Sequence, residues 1–384
     1  MRLSSDRILT THVGSLPRSA EVTDMVYAEE NGKAIDPARF ATVIAEAVRE
    51  TVRRQRVAGV DVVSDGEMSK ISYATYIRHR LTGFAGDSPR RVPQDLEAFP
   101  GYLGRAAKGG ATPTYRRPRC VGPIAVKTLD PLHADIANMK AALAGSGATE
   151  GFMNSASPGV IALFQPDDHY GDHRRYLEAI AAAMQAEYEA IAASGLLIQI
   201  DSPDLALGRH MMFKDRDEAE FLAMAELHVE VLNHALRNVP RDAVRLHVCW
   251  GNYEGPHHCD IDMARILPTI LRAKVRAISF EGANPRHAHE WSAFAAAKLP
   301  DDLVLMPGVL DSTTNFIEHP QLVAERIERF VRIVGRDRVI ASSDCGFSTF
   351  AGFGVVDPDI VYAKLAALAE GAAIASARLW GRAA

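Results

Sequence analysis

Four side chains in the second half of the sequence are of the types that bind zinc. His247 and Cys249 lie two residues apart in an apolar run, so on a strand they would point to the same side. Glu281 and Cys345 follow two later apolar runs. A His/Cys/Glu/Cys set can bind Zn²⁺ and still exchange one ligand for a substrate thiol. The set predicts transfer of an alkyl group to sulfur, because zinc produces a nucleophile at neutral pH.

Each member of this set also has a simpler interpretation. His247 and Cys249 could be ordinary buried strand residues, and Cys345 a plain buried cysteine. Glu281 could form a loop ion pair, although a carboxylate at the end of a buried strand needs some partner. Their shared position at the ends of separate candidate strands favours a metal site. A barrel with purely structural zinc remains an alternative, although structural sites mostly use Cys and His.

Two acids and one backbone segment are candidates for substrate binding. Glu67 follows the second candidate strand and Asp201 ends the fourth, so together they could bind an ammonium or act in acid–base catalysis. The alternatives are a solvated loop acid and a helix N-cap. Val13, Gly14 and Ser15 close the first strand, where backbone N–H groups could bind a carboxylate. An ordinary turn would explain that segment equally well.

Histidines and a basic segment complete the set of candidates. His257 and His258 follow the His247 strand and, together with His12, are candidates for a catalytic proton donor; a surface loop is the alternative. Residues 83–118 are rich in Pro, Gly and Arg and predict a long loop over the site. That loop could bind a carboxylate, phosphate or sulfonate, or be merely solvated. Its basic residues are Arg90, Arg91, Arg105, Lys108, Arg116 and Arg117.

Alternating strand and helix patterns predict the elements that position these residues. Eight candidate strands separated by helical segments favour a (β/α)8 TIM barrel over a doubly wound sheet, and we expect one domain over residues 1–384. The chemically interesting residues follow the strands, which is where barrel enzymes build their sites. The candidate strands are Ile8–Gly14, Val60–Ser64, Arg119–Val126, Leu196–Asp201, Val244–Cys249, Ala277–Glu281, Leu303–Val309 and Arg338–Ser343.

Composition restricts the class of protein. The chain has 384 residues, of which 47% are hydrophobic and 24% charged, as in ordinary globular proteins. A net charge of −5 gives no reason to expect nucleic acid or an anionic membrane as partner. We expect neither a secretory signal nor a bilayer-spanning segment. Four cysteines are too few for a disulfide scaffold, which predicts a cytoplasmic protein.

The same residues, in this order, resemble the catalytic barrel of cobalamin-independent methionine synthase. The similarity covers almost the whole chain. It is carried by Thr10–Ser15, Asp65–Glu67, Arg119–Pro123, Gln199–Asp201, His247–Cys249, Glu281 and Asp344–Gly346. The resemblance implies zinc bound by His247, Cys249, Glu281 and Cys345, with Glu281 the most readily displaced. It further implies that Glu67 and Asp201 bind the ammonium of homocysteine and that Val13 to Ser15 bind its carboxylate.

The resemblance implies methionine biosynthesis by S-methylation of homocysteine. The alkyl donor would be methyltetrahydrofolate or another methyl carrier. Single-barrel zinc enzymes that add coenzyme M to epoxides are also similar, and the basic segment would suit a sulfonate. In that alternative an acid such as His257 or His258 protonates the alkoxide. Assembly into a homo-oligomer stays open.

Overall fold

The computed structural model of the chain describes residues 1–89, 91–108 and 117–381. Its ten described strands are β1 (Leu9–Thr10), β2 (Val62–Ser64), β3 (Phe84–Ala85), β4 (Arg119–Cys120), β5 (Glu150–Ala156), β6 (Leu197–Asp201), β7 (Val244–Val248), β8 (Ala277–Phe280), β9 (Val304–Leu310) and β10 (Ile340–Ser343). Eight of them form one sheet in the order β1-β10-β9-β8-β7-β6-β5-β2. All neighbours in this sheet are parallel. The predicted (β/α)8 barrel is confirmed.

Helices connect and cover the strands. The described helices are α1 (Ala20–Glu30), α2 (Pro37–Val57), α3 (Ile77–Arg80), α4 (Gln94–Glu97), α5 (Pro100–Lys108), α6 (Asp130–Leu143), α7 (Pro158–Phe164), α8 (His173–Ala193), α9 (Glu218–Ala235), α10 (Met263–Ile270), α11 (Trp291–Ala296), α12 (Pro320–Val334) and α13 (Pro358–Trp380). The apolar stripe of α12 faces the sheet at helical spacing: Val323, Ile327, Phe330 and Val334 are buried.

The barrel closes between β1 and β2 through individual hydrogen bonds rather than a ladder. The N–H of Asp61, just before β2, donates to the carbonyl of Thr10 at 3.1 Å. The Thr11 hydroxyl donates to the Val62 carbonyl at 3.0 Å, and the Ser64 hydroxyl to the Gly14 carbonyl at 2.9 Å. This seam holds the first strand, and the segment that follows it, beside the second.

The third barrel strand is not the predicted one. Residues 119–126 were expected to form it, but only Arg119–Cys120 are extended, and they pair antiparallel with Phe84–Ala85 outside the barrel. Proline in such a run removes a ladder donor, and Pro123 comes three residues after Cys120, where the pairing ends. Glu150–Ala156 takes the barrel position instead. Because Asn154 and Ser155 are polar, this segment lacks the apolar run by which strands were predicted.

The predicted long basic loop over residues 83–118 includes short regular elements in its described part. The described part contains the short hairpin strand β3 and the helices α4 and α5. Arg90 and Arg116 lie outside the described residues, as does the side chain of Lys108.

Helix α13 departs from the expectation that no segment is long and apolar enough to cross a bilayer. By length and composition alone it passes that test, and it is the one described helix that does. Half of its most apolar window is buried inside the protein, and the helix packs along α12 and against β1, β9 and β10. A core helix passes the same test, so this feature is weak evidence for a membrane.

We predict that Asp61→Ala lowers the free energy of unfolding by about 1.5–3 kcal/mol, the contribution of hydrogen bonds to a charged group. Asp61 is 7% exposed, and its carboxylate accepts from the Thr10 N–H at 3.0 Å and from both terminal nitrogens of Arg7. Urea denaturation measures the change. Asp359→Ala is the control, because the Asp359 side chain is 92% exposed and pairs only with Arg54 there. Equal effects of the two substitutions would contradict the importance of the seam.

Candidate metal and substrate site

Three of the predicted zinc ligands meet at the ends of β7 and β10. The ligand atoms of His247, Cys249 and Cys345 all lie within 4.8 Å of one another, and all three residues are buried. This is the only such cluster among the described residues. His247 belongs to β7 and Cys249 follows it, so both point to the same side as the alternation predicts. Cys345 follows β10 two residues on.

The spacing of this cluster fits zinc. Zn–S bonds of about 2.3 Å and Zn–N bonds of about 2.0–2.1 Å at a tetrahedral angle place sulfur and nitrogen about 3.6 Å apart. Nε2 of His247 lies 3.6 Å from Sγ of Cys345. Nδ1 of His247 is buried with no hydrogen-bond partner in the described chain. Nε2 faces the sulfurs and can donate to them when it is protonated, and a metal would instead take its lone pair with the ring proton on Nδ1.

The two cysteines shift each other's pKa in opposite directions. A hydrogen bond from Cys345, assisted by one from His247, lowers the pKa of Cys249 to about 6 even though burial opposes this. The same contact with Cys249, together with burial, raises the pKa of Cys345 well above its usual value. Burial lowers the pKa of His247, but Cys249, Asp201 and Glu281 outweigh it and raise that pKa. Cys249 is therefore the cysteine that ionises more readily, and binding of a metal would displace the thiol protons.

Glu281, the fourth predicted ligand, is placed beside this cluster rather than in it. Oε1 accepts the Trp250 N–H at 2.9 Å. Oε2 accepts from Asn284 Nδ2 at 2.7 Å and from Arg286 at 2.9 Å. Oε1 therefore keeps a lone pair that could reach a metal, while Oε2 is fully engaged. A metal-binding role for Glu281 stays a prediction.

Asp344, which directly follows β10, binds the loop that follows Glu281. Its Oδ1 accepts the N–H groups of Gly282 and Ala283, and its Oδ2 accepts the backbone and side-chain N–H groups of Asn284, all at 2.8 Å. Burial and the nearby Glu281 raise the pKa of Asp344 to about 6, although the backbone donors lower it. Because Cys345 is the next residue, this one carboxylate positions two of the predicted ligands relative to each other.

Asp201 is not a helix cap. Its Oδ2 accepts from Asn154 Nδ2 and its Oδ1 from Gln199 Nε2, both at 2.8 Å. Both amides also donate to the carbonyl of Val13. Burial raises the pKa of Asp201, while His247 and the two amides lower it. The network holds the carboxylate between the first strand and the metal cluster.

Glu67 is held with its carboxylate buried and incompletely paired. Its φ of 59° is in the left-handed region, and its carbonyl accepts Nε and Nη2 of Arg18 at 3.1 and 2.7 Å. Oε2 of Glu67 has no hydrogen-bond partner among the described residues. Burial raises the pKa of Glu67 to about 8, although Lys70 and Arg18 lower it. A strained residue with an unpaired buried acid suggests a ligand group that belongs there.

The segment from Val13 to Ser15 lies next to the Asp201 network, but two of its three backbone N–H groups already donate to other groups of the protein. The Val13 N–H donates to the Ser343 hydroxyl at 3.3 Å, and the Gly14 N–H to Nδ1 of His12 at 3.1 Å. A Cβ on Gly14 would lie 2.1 Å from Oδ1 of Asn154, so no side chain fits there. Of the three predicted donors, Ser15 is the one left to meet a substrate carboxylate.

One cavity joins these groups. It has a volume of about 230 Å³ and is open to solvent. Val13, Ser15, Glu67, Asp201, His247, Cys249 and Cys345 all line it. Tyr73 contributes a hydroxyl to the wall; burial, assisted by Asp201, Cys249 and other nearby acidic groups, raises the pKa of Tyr73 well above its usual value. That hydroxyl therefore stays protonated.

The candidate proton-donor histidines do not line this cavity. His257 stacks on Tyr253 with ring centroids 4.2 Å apart, and its Nδ1 contacts Asp260 at 3.0 Å. His258 is exposed and packs edge-on against Phe99. Nε2 of His12 donates to Gln55 at 2.7 Å, since its Nδ1 accepts from Gly14, and burial lowers the pKa of His12 to about 4. Their proposed catalytic role gains no support from this placement.

Sequence reasoning missed three contributors to the site. Asn154 orients Asp201, and its strand lacked the apolar pattern used to find strands. Tyr73 follows Glu67 by six residues, a spacing with no chemical signature. Asp344 was quoted only as part of a motif, yet a buried acid directly before Cys345 was a signal in the sequence that could have identified it.

Comparison with known families gives one match that covers most of the chain. The model of the cobalamin-independent synthase catalytic domain matches residues 8–99 and 158–357. Glu67, Asp201 and all three residues of the metal cluster lie within these matched segments. Residues 100–157, which include Asn154, lie between them.

Individual relatives agree with this match. A 2-hydroxypropyl-CoM lyase from Xanthobacter autotrophicus is 27% identical over 88% of this chain and 86% of its own length. A methionine synthase from Saccharolobus islandicus is 24% identical over 94% of this chain and 93% of its own. Among solved structures, a B12-independent methionine synthase from Shewanella in complex with selenomethionine has a TM-score of 0.71 at 20% identity, covering 98% of this chain and 99% of that one. The structural likeness shows the fold.

We predict that binding of an amino acid without sulfur, such as L-norleucine, strengthens with pH up to about 8. An ammonium favours ionised Glu67, whose pKa is raised to about 8, so binding below that pH releases a proton. The association constant should rise roughly tenfold per pH unit between pH 6 and 8 and then level off. Calorimetric titration measures it. Glu67→Gln should flatten the profile, and a profile that keeps its slope in this variant would exclude Glu67 as its origin.

Proposed function

The chain belongs to the cobalamin-independent methionine synthase catalytic-domain family, and on that premise we propose that it transfers an alkyl group to a thiol with the help of zinc. The substrate that fits this proposal best is homocysteine. It would be methylated to methionine, with methyltetrahydrofolate or another methyl carrier as the donor. The observation that carries this proposal is the convergence of the His247, Cys249 and Cys345 cluster with two buried carboxylates in one cavity. The expectation of a cytoplasmic enzyme, in one barrel domain, fits this chemistry.

The donor set supports zinc as the cofactor. His247, Cys249 and Cys345 would bind it, and Oε1 of Glu281 would be the weak fourth ligand. When bound, zinc makes a substrate thiol nucleophilic at neutral pH. Glu281 is suited to yield its place, because the donors Trp250, Asn284 and Arg286 can stabilise its carboxylate without the metal.

The cavity offers complementary groups for an amino-acid thiol. Glu67 and Asp201 carry the acceptors for an ammonium, and Ser15 offers a donor for a carboxylate. Two acids so close to a thiol site disfavour an anionic group at this position, since like charges repel in a region of low dielectric. Their arrangement therefore favours homocysteine over thiols without an ammonium.

A second candidate is the opening of an epoxide by a sulfonate-bearing thiol. A 2-hydroxypropyl-CoM lyase is similar over most of the chain. In this reaction the thiolate sulfur attacks one epoxide carbon, the C–O bond breaks, and the alkoxide takes a proton. The Tyr73 hydroxyl in the cavity wall is a better donor for that proton than His257 or His258, which lie outside it.

We predict that Cys249→Ala and Cys345→Ala each lose bound zinc and thiol-alkylating activity together. Removing one of the three clustered ligands would leave an incomplete site. Zinc per chain, measured by atomic emission after dialysis, should fall from near one to well below it. Cys259→Ala is the matched control, since this cysteine is free, half-buried and outside the cluster. Full activity in a zinc-free variant would exclude the proposed function.

We predict that Asp201→Asn raises KM for homocysteine roughly 10- to 150-fold, because a hydrogen bond to a charged group contributes about 1.5–3 kcal/mol. The loss should be specific to thiols with an ammonium. 2-Mercaptoethanesulfonate, which lacks one, is the control substrate and should react no worse. An unchanged KM for homocysteine, or equal losses for both thiols, would show that Asp201 only supports the fold.

A further inference from the structure

Two kinds of wall enclose the cavity, and the proposed function uses only one of them for the thiol. The polar wall carries the metal cluster, the two acids and Ser15. The apolar wall consists of Pro93, Phe164, Pro203, Leu207, Met211, Tyr253, Phe350 and Phe353. Because the thiol takes the polar wall, the apolar wall is the part of the cavity left for the second substrate, the alkyl donor.

The apolar wall begins beside the metal cluster. The N–H of Leu207 donates to the carbonyl of Cys249 at 3.4 Å. Gly251 has a φ of 113°, and a Cβ there would lie 2.6 Å from the ring of Tyr253 and 3.2 Å from the side chain of Leu207. Both side chains therefore pack against a glycine that follows a predicted metal ligand by two residues. A group bound against them lies close to the place where a substrate sulfur reacts.

Tyr253 offers the cavity its ring and not its hydroxyl. The hydroxyl donates to Oδ2 of Asp95 at 2.8 Å, and Asp95 is fully buried. The ring also stacks on His257, with the two centroids 4.2 Å apart. These contacts fix the ring in the wall, where its apolar surface suits an apolar or aromatic group.

The carboxamide of Asn252, which also lines the cavity, is used by the protein itself. Its Nδ2 donates to the Gly346 carbonyl at 2.6 Å and to the Thr349 hydroxyl at 2.9 Å, and its Oδ1 accepts from the Ser312 hydroxyl at 2.9 Å. A ligand with several hydrogen-bonding atoms therefore finds few partners on this side among the described residues. Burying such atoms without partners costs free energy.

Two arginines also line the cavity. Arg117 donates to the carbonyls of Pro89 and Phe164. Arg91 is exposed, so water solvates its charge. Neither cation therefore requires the donor to be charged.

The size of the cavity limits the donor as well. Its volume of about 230 Å³ is smaller than the roughly 300–1,000 Å³ of pockets that hold one drug-sized ligand. An amino-acid thiol fills part of this space. The part of the donor that enters beside the thiol is therefore compact.

We propose that the alkyl donor is a neutral electrophile whose reacting carbon is attached to an aromatic ring or a branched apolar group, and that the apolar wall binds this group. Among the donors left open above, the wall thus selects against a folate, whose pterin ring carries many hydrogen-bonding atoms. This inference rests on the proposed function for the reaction, but the binding of the apolar group is measured without any reaction.

The test compares two small uncharged rings by calorimetry of the zinc-loaded protein. Anisole is apolar, and 2-amino-6-methyl-4-pyrimidinone is the polar ring of a pterin. Anisole should bind roughly tenfold more tightly or better, because the wall gains from apolar burial and cannot pair the polar atoms of the pyrimidinone.

Substitutions in the wall locate the binding. Leu207→Asn and Phe353→Ser should each weaken anisole binding roughly fivefold or more, since each removes apolar surface from the wall. Phe316→Ser is the matched control, because Phe316 is 80% exposed and does not line the cavity. This control should keep the affinity of the unsubstituted protein.

The outcomes are distinct. Equal or tighter binding of the pyrimidinone, or an anisole affinity that Phe353→Ser leaves unchanged, overturns the proposal. Phe353 is only half-buried, so its variant decides this even where Leu207→Asn fails to fold. Anisole binding with no thiol alkylation from any donor keeps the apolar subsite and rejects the proposed function. Methylation of homocysteine by methyltetrahydrofolate without anisole binding does the reverse.

Competition assigns the apolar wall to one of the two substrates. Anisole should bind with the same affinity in the presence of saturating homocysteine, because the two occupy different walls. Displacement of anisole by homocysteine would show that the apolar wall belongs to the thiol, which overturns its assignment to the donor.

Discussion

The parallel register of β6, β7 and β8 is the constraint on which the site depends. It pairs Asp201 with His247, so a carboxylate and an imidazole leave neighbouring strands at the same level. It also pairs Val248 with Phe280, so Cys249 and Glu281, the next residues, leave their strands side by side. A shift of one residue in either pairing would turn the side chains to the opposite face. The hydrogen bonds between β1 and β2 keep Val13 to Ser15 at the same end of the barrel as these residues.

Burial shifts the pKa values of the ionisable groups at this end of the barrel. Removal from water raises the pKa of both Glu67 and Asp201. Arg245 lies on β7, two residues before His247 and on the same side, and donates to Thr11 and to the His12 carbonyl at 2.9 and 2.8 Å. Burial lowers the pKa of Arg245 to about 9, which still leaves a cation that favours ionised Asp201. Perturbed groups gathered in one cavity are typical of functional sites rather than of structural cores.

Residues outside the family match also contribute to this site. Asn154, which orients Asp201, and Arg117, which reaches the cavity, both lie in residues 100–157. The metal cluster and the two acids lie in the matched segments.

The sequence alone determined the barrel, the three clustered metal-type ligands and the two acids, because apolar runs ending in polar residues are a local signal. It misplaced the third strand, since Asn154 and Ser155 find their partners, Asp201 and Glu187, only in the folded barrel. Tertiary structure also decided that His257 and His258 lie outside the cavity and that Tyr73 lies in it. Which side chains share a cavity depends on contacts between distant segments, and residue type and spacing do not encode those contacts locally.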